Sequence, residues 1–339
     1  MVSKTGEIHD EKVSRLYRSE DASLLRNGAI SINADELMFG TFAESKAELQ
    51  KIVQRFGYVR KWSWVQSLLN NESFVNSMLN DISKLALRDL DCMMKLAVGF
   101  RGVDLKPNEF EVEAYEPDGK SRELVTGRYD HNEKKCSINL GLFTKIFLEP
   151  KARQPTNINE KQLAEFLEGI YSTIVHEGFH SVQNSILGDK KRIKNRGNSA
   201  DNISNFVEGG ARFIETITGS FINDWKRASL NDGNSLEKAF LWHFELEPVS
   251  SAVNEKPDKI REMLENFKPH TAGMFIFAVR YIANGSFIRT LKEICEMAEQ
   301  GIISNDDLYS MLDKDIENGT LEKMKQKIIE LWDIPNMLK

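Results

Sequence analysis

The sequence predicts an α+β fold that is mostly α-helical, with a small antiparallel sheet placed just before a helix rich in histidine. Apolar residues recur at intervals of three or four positions over most of the chain, which is typical of amphipathic helices. The period changes to two only between Glu109 and Leu140, which predicts strands. With 339 residues and 41% hydrophobic content, the chain can also fill a sizeable core.

Composition and charge exclude several classes of function. The net charge is −6 and the basic run 190–196 is short, which argues against the clustered basic face of a nucleic-acid-binding protein. Cys92, Cys136 and Cys295 show no CxxC spacing, so neither a disulfide framework nor a thiolate metal site is indicated. No apolar run reaches the length of a membrane span and no signal peptide is visible. We therefore expect a soluble, cytoplasmic protein.

The first third of the chain divides into two parts. Residues 1–40 are polar and weakly periodic, which predicts a loosely attached N-terminal arm or a few short elements. Helical periodicity begins near Ala43 and continues to Phe100, so we expect an N-terminal helical region over residues 41–104. Inside it, residues 70–73 (Asn-Asn-Glu-Ser) offer side chains that cap the start of a helix.

The alternating segment contains two turn signals, at residues 117–119 (Pro-Asp-Gly) and near His131 and Asn132, which predict an antiparallel sheet. Helical periodicity then resumes, without internal repeats, to the end of the chain. The predicted helices are 159–187, 202–222, 235–246, 257–267, 271–283, 286–300, 305–315 and 319–332. We assign residues 105–300 to one domain and residues 301–339 to C-terminal helices packed on it.

The most informative stretch is TIVHEGFHSVQNS, from Thr173 to Ser185. Positions four apart lie on one face of a helix, so His176 and His180 can present two imidazole nitrogens to one ion. Glu177 projects about 100° away, within reach of a metal-bound water without being a ligand. This HExxH arrangement predicts a zinc site in which the glutamate acts as general base. A pair of histidines on an ordinary helix face is the alternative.

A catalytic zinc ion needs a third protein ligand, and the next helix offers Glu208 in SNFVEGGARFIETITG. The residues that follow it, Gly209, Gly210 and Ala211, are small enough to let this helix approach another closely. The alternative is an exposed helical glutamate. We favour a ligand because the glutamate heads a run of small residues on an otherwise apolar helix.

HExxH followed by a downstream EGxA helix resembles the gluzincin metallopeptidases of the MA-like group. The resemblance implies a zincin-like fold over residues 105–300, Zn²⁺ held by His176, His180 and Glu208, and Glu177 as general base. It also implies a peptide or protein substrate. Metzincins carry a third histidine six residues after the second, and position 186 is isoleucine, so that alternative fails.

Two further features are implied by the same resemblance. The segment from Pro269 to Phe287 is similar to the family's YxxGxxF helix, with His270 at the tyrosine position and Tyr281 as the substitute. Either residue would then donate a hydrogen bond to the oxyanion of the tetrahedral intermediate. The segment from Lys134 to Leu140 is the candidate edge strand that would receive an extended peptide. An ordinary core strand is the alternative.

The sequence also departs from the gluzincin pattern. Four positions after Glu208, thermolysin-like enzymes carry an aspartate that orients a ligand histidine, but this chain has Arg212. We therefore look to Asn184 or Glu215 for that role. The polar stretch 188–202 between the two motifs predicts a long loop.

Three hypotheses about function follow from these motifs. The leading one is a zinc-dependent peptidase, the second a binding or regulatory protein that keeps the zincin fold but hydrolyses nothing, and the third a helical interaction protein without metal. The sequence leaves the substrate-binding residues and the oligomeric state open.

Overall fold

The computed structural model describes residues 34–57, 61–99, 111–114, 126–130, 132–149, 157–187, 203–222, 257–324 and 326. Most of the predicted arm, the turn at 117–119, the loop at 188–202 and the helix at 235–246 lie outside these residues. The helices are Ala34–Gln54 (α1), Trp62–Leu69 (α2), Glu72–Val98 (α3), Leu140–Phe143 (α4), Glu160–Leu187 (α5), Ser204–Ile222 (α6), Pro257–Glu265 (α7), Pro269–Asn284 (α8), Phe287–Gln300 (α9) and Asn305–Glu317 (α10), with a π-helical turn at Thr144–Leu148. The strands are Glu111–Ala114 (β1), Gly127–Asp130 (β2) and Lys135–Ile138 (β3).

The fold is α+β and mostly α, as the periodicity predicts. The six predicted helices from 159–187 to 305–315 that lie among the described residues all form, and their ends differ from the predictions by only a few residues. Asn71, inside the predicted capping run, is the N-cap of α3, and its side chain accepts a hydrogen bond from the backbone N–H of Phe74 at 3.0 Å. No helix among the described residues is both long and apolar enough to cross a membrane.

Helix α1 begins at Ala34, inside the segment predicted to be a polar arm. Leu37 and Met38 in its second turn are buried, so these residues belong to the core. Helix α1 therefore begins before the predicted boundary at residue 40. The first turn of α1 contains polar side chains, so the apolar stripe of this helix is hard to recognise in the sequence.

Asp35 of α1 caps a helix near the other end of the chain. Its carboxylate accepts hydrogen bonds from the backbone N–H groups of Phe287 at 3.1 Å and Ile288 at 3.0 Å, in the first turn of α9. The hydroxyl of Ser286, the N-cap of α9, donates to the same side chain at 3.1 Å. The first N–H groups of a helix have no partner within it, so a carboxylate there stabilises the helix end.

The sheet is mixed rather than antiparallel. Its strand order is β1-β3-β2, with β1 parallel and β2 antiparallel to β3. The hairpin predicted near His131 and Asn132 does form, and the side chain of Asp130 accepts hydrogen bonds from the backbone of Asn132 and Glu133. Strand β3, within the candidate edge segment 134–140, lies in the centre. Because β1 and β2 occupy both of its hydrogen-bonding sides, it cannot receive an added strand, and that prediction is wrong.

Helix α5 runs through the middle of the helical core. It packs against α3, α6 and α9 and against strands β2 and β3. Its buried residues occupy all sides of the helix between Leu163 and Gln183, which is typical of a helix surrounded by other elements. The side chains that α5 presents are therefore fixed in position by packing on every side.

A buried polar cluster joins α1, α3 and α5. The carboxylate of Asp89 is fully buried and accepts hydrogen bonds from the hydroxyls of Ser45 and Tyr171, the latter at 2.6 Å. Arg88 pairs with its other oxygen at 3.0 Å. Burial raises the pKa of Asp89 to about 6, against the lowering effect of Arg88 and the two hydroxyls. The cluster fixes the rotation of α5 about its axis relative to α1 and α3, because Tyr171 reaches Asp89 in one orientation of the helix.

Candidate metal centre

His176 and His180 lie one turn apart on the same face of α5. Their Nε2 atoms are 3.1 Å apart, and their rings meet edge to face with centroids 4.8 Å apart. Both side chains are largely buried, at 10% and 11% exposed. The i, i+4 spacing therefore brings two imidazole nitrogens to one point, as the sequence predicts.

Helix α6, which carries Glu208, crosses α8 at two glycines. A Cβ added to Gly209 would lie 2.3 Å from Cα of Gly273, and a Cβ added to Gly273 would lie 1.9 Å from the carbonyl oxygen of Asn205. Any side chain at either position would separate the two helices. The small residues after Glu208 therefore serve close packing, as predicted. Gly209 lies against α8, while Gly210 lies against Gln183 and Phe179 of α5.

The ligand atoms predicted from sequence converge. Oε2 of Glu208 lies 3.6 Å from Nε2 of His180 and 3.9 Å from Nε2 of His176. Zinc bound tetrahedrally by nitrogen and oxygen atoms at its usual distances would hold them about 3.3 to 3.6 Å apart. The three separations, 3.1 to 3.9 Å, lie within about 0.3 Å of that range, and zinc accepts both nitrogen and oxygen donors.

Glu215, two turns after Glu208 on α6, orients the first imidazole. Its Oε2 accepts a hydrogen bond from Nδ1 of His176 at 2.9 Å, and its Oε1 pairs with Arg212 at 2.6 Å. With the proton on Nδ1, the lone pair of Nε2 faces Glu208. Glu215 is one of the two residues named above for this role. Arg212, where the sequence departs from the gluzincin pattern, holds this carboxylate in place.

Gln183 orients the second imidazole and is not among the residues predicted from the sequence. Its Oε1 accepts from Nδ1 of His180 at 3.0 Å, while its Nε2 donates to the carbonyl oxygen of Val207 at 3.1 Å. The other residue proposed from sequence, Asn184, makes no hydrogen bond to His180. Spacing alone could not choose between them, since positions three and four residues after His180 both face it.

The carboxylates of Glu208 and Glu215 are charged near neutral pH. Burial acts to raise the pKa of Glu208, but the imidazoles of His180 and His270, whose Nε2 atoms lie 3.6 and 2.8 Å from its Oε2, hold it well below its usual range. Burial acts in the same direction on Glu215, where the charge of Arg212 and the hydrogen bond from His176 lower the pKa to about 2. A cation entering the site would meet a ligand that is already deprotonated.

Glu177 points to the strand side of α5 and is buried. A Cβ added to Gly127 of β2 would lie 3.3 Å from Oε1 of Glu177 and 2.5 Å from the methyl group of Thr173, so the strand backbone lies directly against the helix. Burial raises the pKa of Glu177, against the lowering effect of His176 and His180. A raised pKa makes its carboxylate a stronger base.

The two oxyanion candidates occupy different places. Nε2 of His270 lies 2.8 Å from Oε2 of Glu208, and its ring stacks on that of His176 with centroids 5.8 Å apart. Tyr281 lies three turns further along α8, about 16 Å along the helix axis, where it is buried and its ring faces Phe213. Tyr281 is therefore too far from the cluster for the predicted role. His270 reaches the site, and its role as an oxyanion donor stays a prediction.

No protein-family model, curated protein or solved structure matches this chain. The resemblance to gluzincins therefore rests on the motif residues and their spacing.

Proposed function

We propose that the chain is a zinc-dependent peptidase of the gluzincin type. The observation that carries this proposal is the convergence of His176, His180 and Glu208. Their donor atoms lie 3.1 to 3.9 Å apart, and they come from two helices. Each imidazole is held by a separate hydrogen-bond acceptor, as expected of ligands that must keep one tautomer.

A bound zinc ion would supply a Lewis acid that polarises the scissile carbonyl and lowers the pKa of a water molecule. Glu177 is the residue that we assign to take the proton of that water. It directly follows the first ligand in sequence, it is buried, and its pKa is raised. A carboxylate with a raised pKa binds the proton more tightly, and it can then pass that proton to the leaving amine.

Glu215 and Gln183 hold the imidazoles with their Nε2 lone pairs directed at Glu208. The carboxylate of Glu215 is paired with the guanidinium of Arg212, so this buried charge has a partner of opposite sign. These contacts fix the ligands before any ion binds, which lowers the cost of organising the site.

A second function is favoured by one observation. The side chain of Glu177 is only 7% exposed and is packed near Gly127 and Thr173, which restricts access to its carboxylate. A protein that binds zinc for structure or regulation, without hydrolysing peptides, would tolerate this burial. The two functions share the metal site and differ in the role of Glu177.

The first experiment measures zinc per chain by elemental analysis in the wild type and in the Glu208→Ala variant. We expect about one zinc per chain in the wild type and a much weaker site in the variant. Glu262→Ala, which removes an exposed glutamate of α7, is the matched control and should keep its zinc. A wild type that binds no zinc after incubation with the ion would overturn the proposal.

The second experiment separates the two functions. Wild type and Glu177→Gln are incubated with a mixed peptide library, with and without a chelator. A peptidase gives products that disappear in both the chelated sample and the variant, while the variant retains its zinc. Identical product profiles in all samples would favour the binding protein.

A further inference from the structure

His270 differs from the other two histidines of the cluster in its position on the fold. It lies in the first turn of α8, directly after Pro269, which begins that helix. Its side chain is 49% exposed, whereas those of His176 and His180 are 10% and 11% exposed. It therefore reaches the cluster from the solvent side.

The carboxylate oxygen Oε2 of Glu208 is the common neighbour of all three imidazoles. It lies 2.8 Å from Nε2 of His270, 3.6 Å from Nε2 of His180 and 3.9 Å from Nε2 of His176. The ligand atoms of His176, Glu208 and His270 also lie within 4.8 Å of one another. Two overlapping sets of three donors thus share His176 and Glu208.

We propose that His270 is a fourth protein ligand of the metal ion and that it is exchangeable. This inference rests on the metal site of the proposed function. Three imidazoles and one carboxylate complete a tetrahedral set, and such a set leaves no open position. A half-exposed side chain at a helix end can leave the ion when a substrate enters, whereas the two buried histidines cannot.

This role differs from the oxyanion donor that the resemblance implies. An oxyanion donor contacts the reacting substrate and leaves metal affinity unchanged when it is removed. A ligand contributes to affinity and to the ligand field of the ion. A hydrogen-bond donor to Glu208 would raise affinity through the carboxylate alone, and any side chain with a suitable N–H could replace it.

The test is a titration with Co²⁺ followed by its visible absorption, together with competition against Zn²⁺. The proteins are the wild type, His270→Ala, His270→Gln and Thr271→Ala. Glutamine keeps an N–H donor near Glu208 but lacks an imidazole nitrogen. Thr271→Ala changes the next residue of the same helical turn and serves as the control. Unfolding curves check that each variant is folded.

We expect His270→Ala and His270→Gln to bind Co²⁺ at least about tenfold more weakly, with changed absorption bands, because the ion loses a ligand. Thr271→Ala should match the wild type. The proposal is overturned if His270→Gln restores wild-type affinity and spectrum, or if His270→Ala leaves both unchanged. A wild type that binds neither ion would overturn the proposed function itself, so the two failures are distinguishable.

Discussion

Gly209 of α6 and Gly273 of α8 meet backbone to backbone, and this contact sets the distance between Glu208 and His270. Glu208 directly precedes Gly209, and His270 lies three residues before Gly273. The crossing therefore does two things, since it packs the core and also brings a carboxylate of one helix to an imidazole of another. A change at the crossing should affect both stability and the site.

Substitution Gly273→Ala should lower the free energy of unfolding by about 1 to 3 kcal/mol or more, because the new Cβ has no room. It would lie 1.9 Å from a backbone oxygen, which cannot move aside as a flexible side chain can. Chemical denaturation measures the loss. Gly141→Ala is the control, since its Cβ would lie at an ordinary 3.6 Å from its nearest neighbour, and it should be near neutral.

Substitution Glu215→Gln should weaken zinc binding by about 10- to 100-fold. The amide cannot balance the charge of Arg212, and it holds the Nδ1 proton of His176 less strongly. Competition with a coloured chelator measures the affinity. Glu262→Gln removes an exposed negative charge on α7 and should bind zinc as the wild type does. Equal affinities in all three proteins would show that Glu215 does not orient a ligand.

Substitution Gln183→Leu should lower both zinc affinity and stability. It leaves Nδ1 of His180 without its acceptor, and a buried polar group left unpaired costs about 1 to 3 kcal/mol. Asn184→Ala, one position further along α5, should leave zinc affinity unchanged. If Asn184→Ala has the larger effect, the side chain that holds His180 has been misassigned.

Substitution Asp89→Asn should change how stability depends on pH. Burial raises the pKa of Asp89 from its ordinary 3.8 to about 6, so the folded protein binds this proton more tightly than the unfolded chain does. The resulting stability is fully present below pH 4 and is lost as the pH rises through 6, by up to about 3 kcal/mol.

Denaturation of wild type and Asp89→Asn between pH 5 and 8 measures this effect. The wild type should lose stability relative to the variant as the pH rises. Asp91→Asn, which changes a carboxylate of the same helix that pairs with Lys95, should run parallel to the wild type. A constant difference between wild type and Asp89→Asn across this range would contradict the raised pKa.

The parts of the site that are local in sequence could be predicted from it. His176, Glu177 and His180 occupy one helix whose period is visible, and Glu215 lies seven residues after Glu208, on the same face of α6. The choice of Gln183 over Asn184 could not be predicted, because it depends on the carbonyl of Val207 on another helix. Helical spacing places both side chains near His180 but does not show which one meets α6.

The sheet was harder to predict for a related reason. Alternation indicates strands and turns, but it does not show which strand lies between the other two. Strand β3 is central because β1 pairs with one of its sides in parallel and β2 pairs with the other side. Parallel strands need a long connection, and here the connection from β1 to β3 includes β2. The contact of His270 with the cluster and the separation of Tyr281 from the cluster likewise depend on where α8 crosses α6. That crossing point is set by two glycines 64 positions apart in the printed sequence.

The contact of Asp35 with α9 has a consequence for how the chain folds. The groups it joins are 251 to 253 residues apart in sequence, so the start of α9 is completed only when α1 has docked. Closing so long a loop costs conformational entropy, and the contacts that offset this cost form only after the loop has closed. The last helices should therefore gain full protection from hydrogen exchange only after the N-terminal helix has joined them, which couples the two ends of the chain in one cooperative transition.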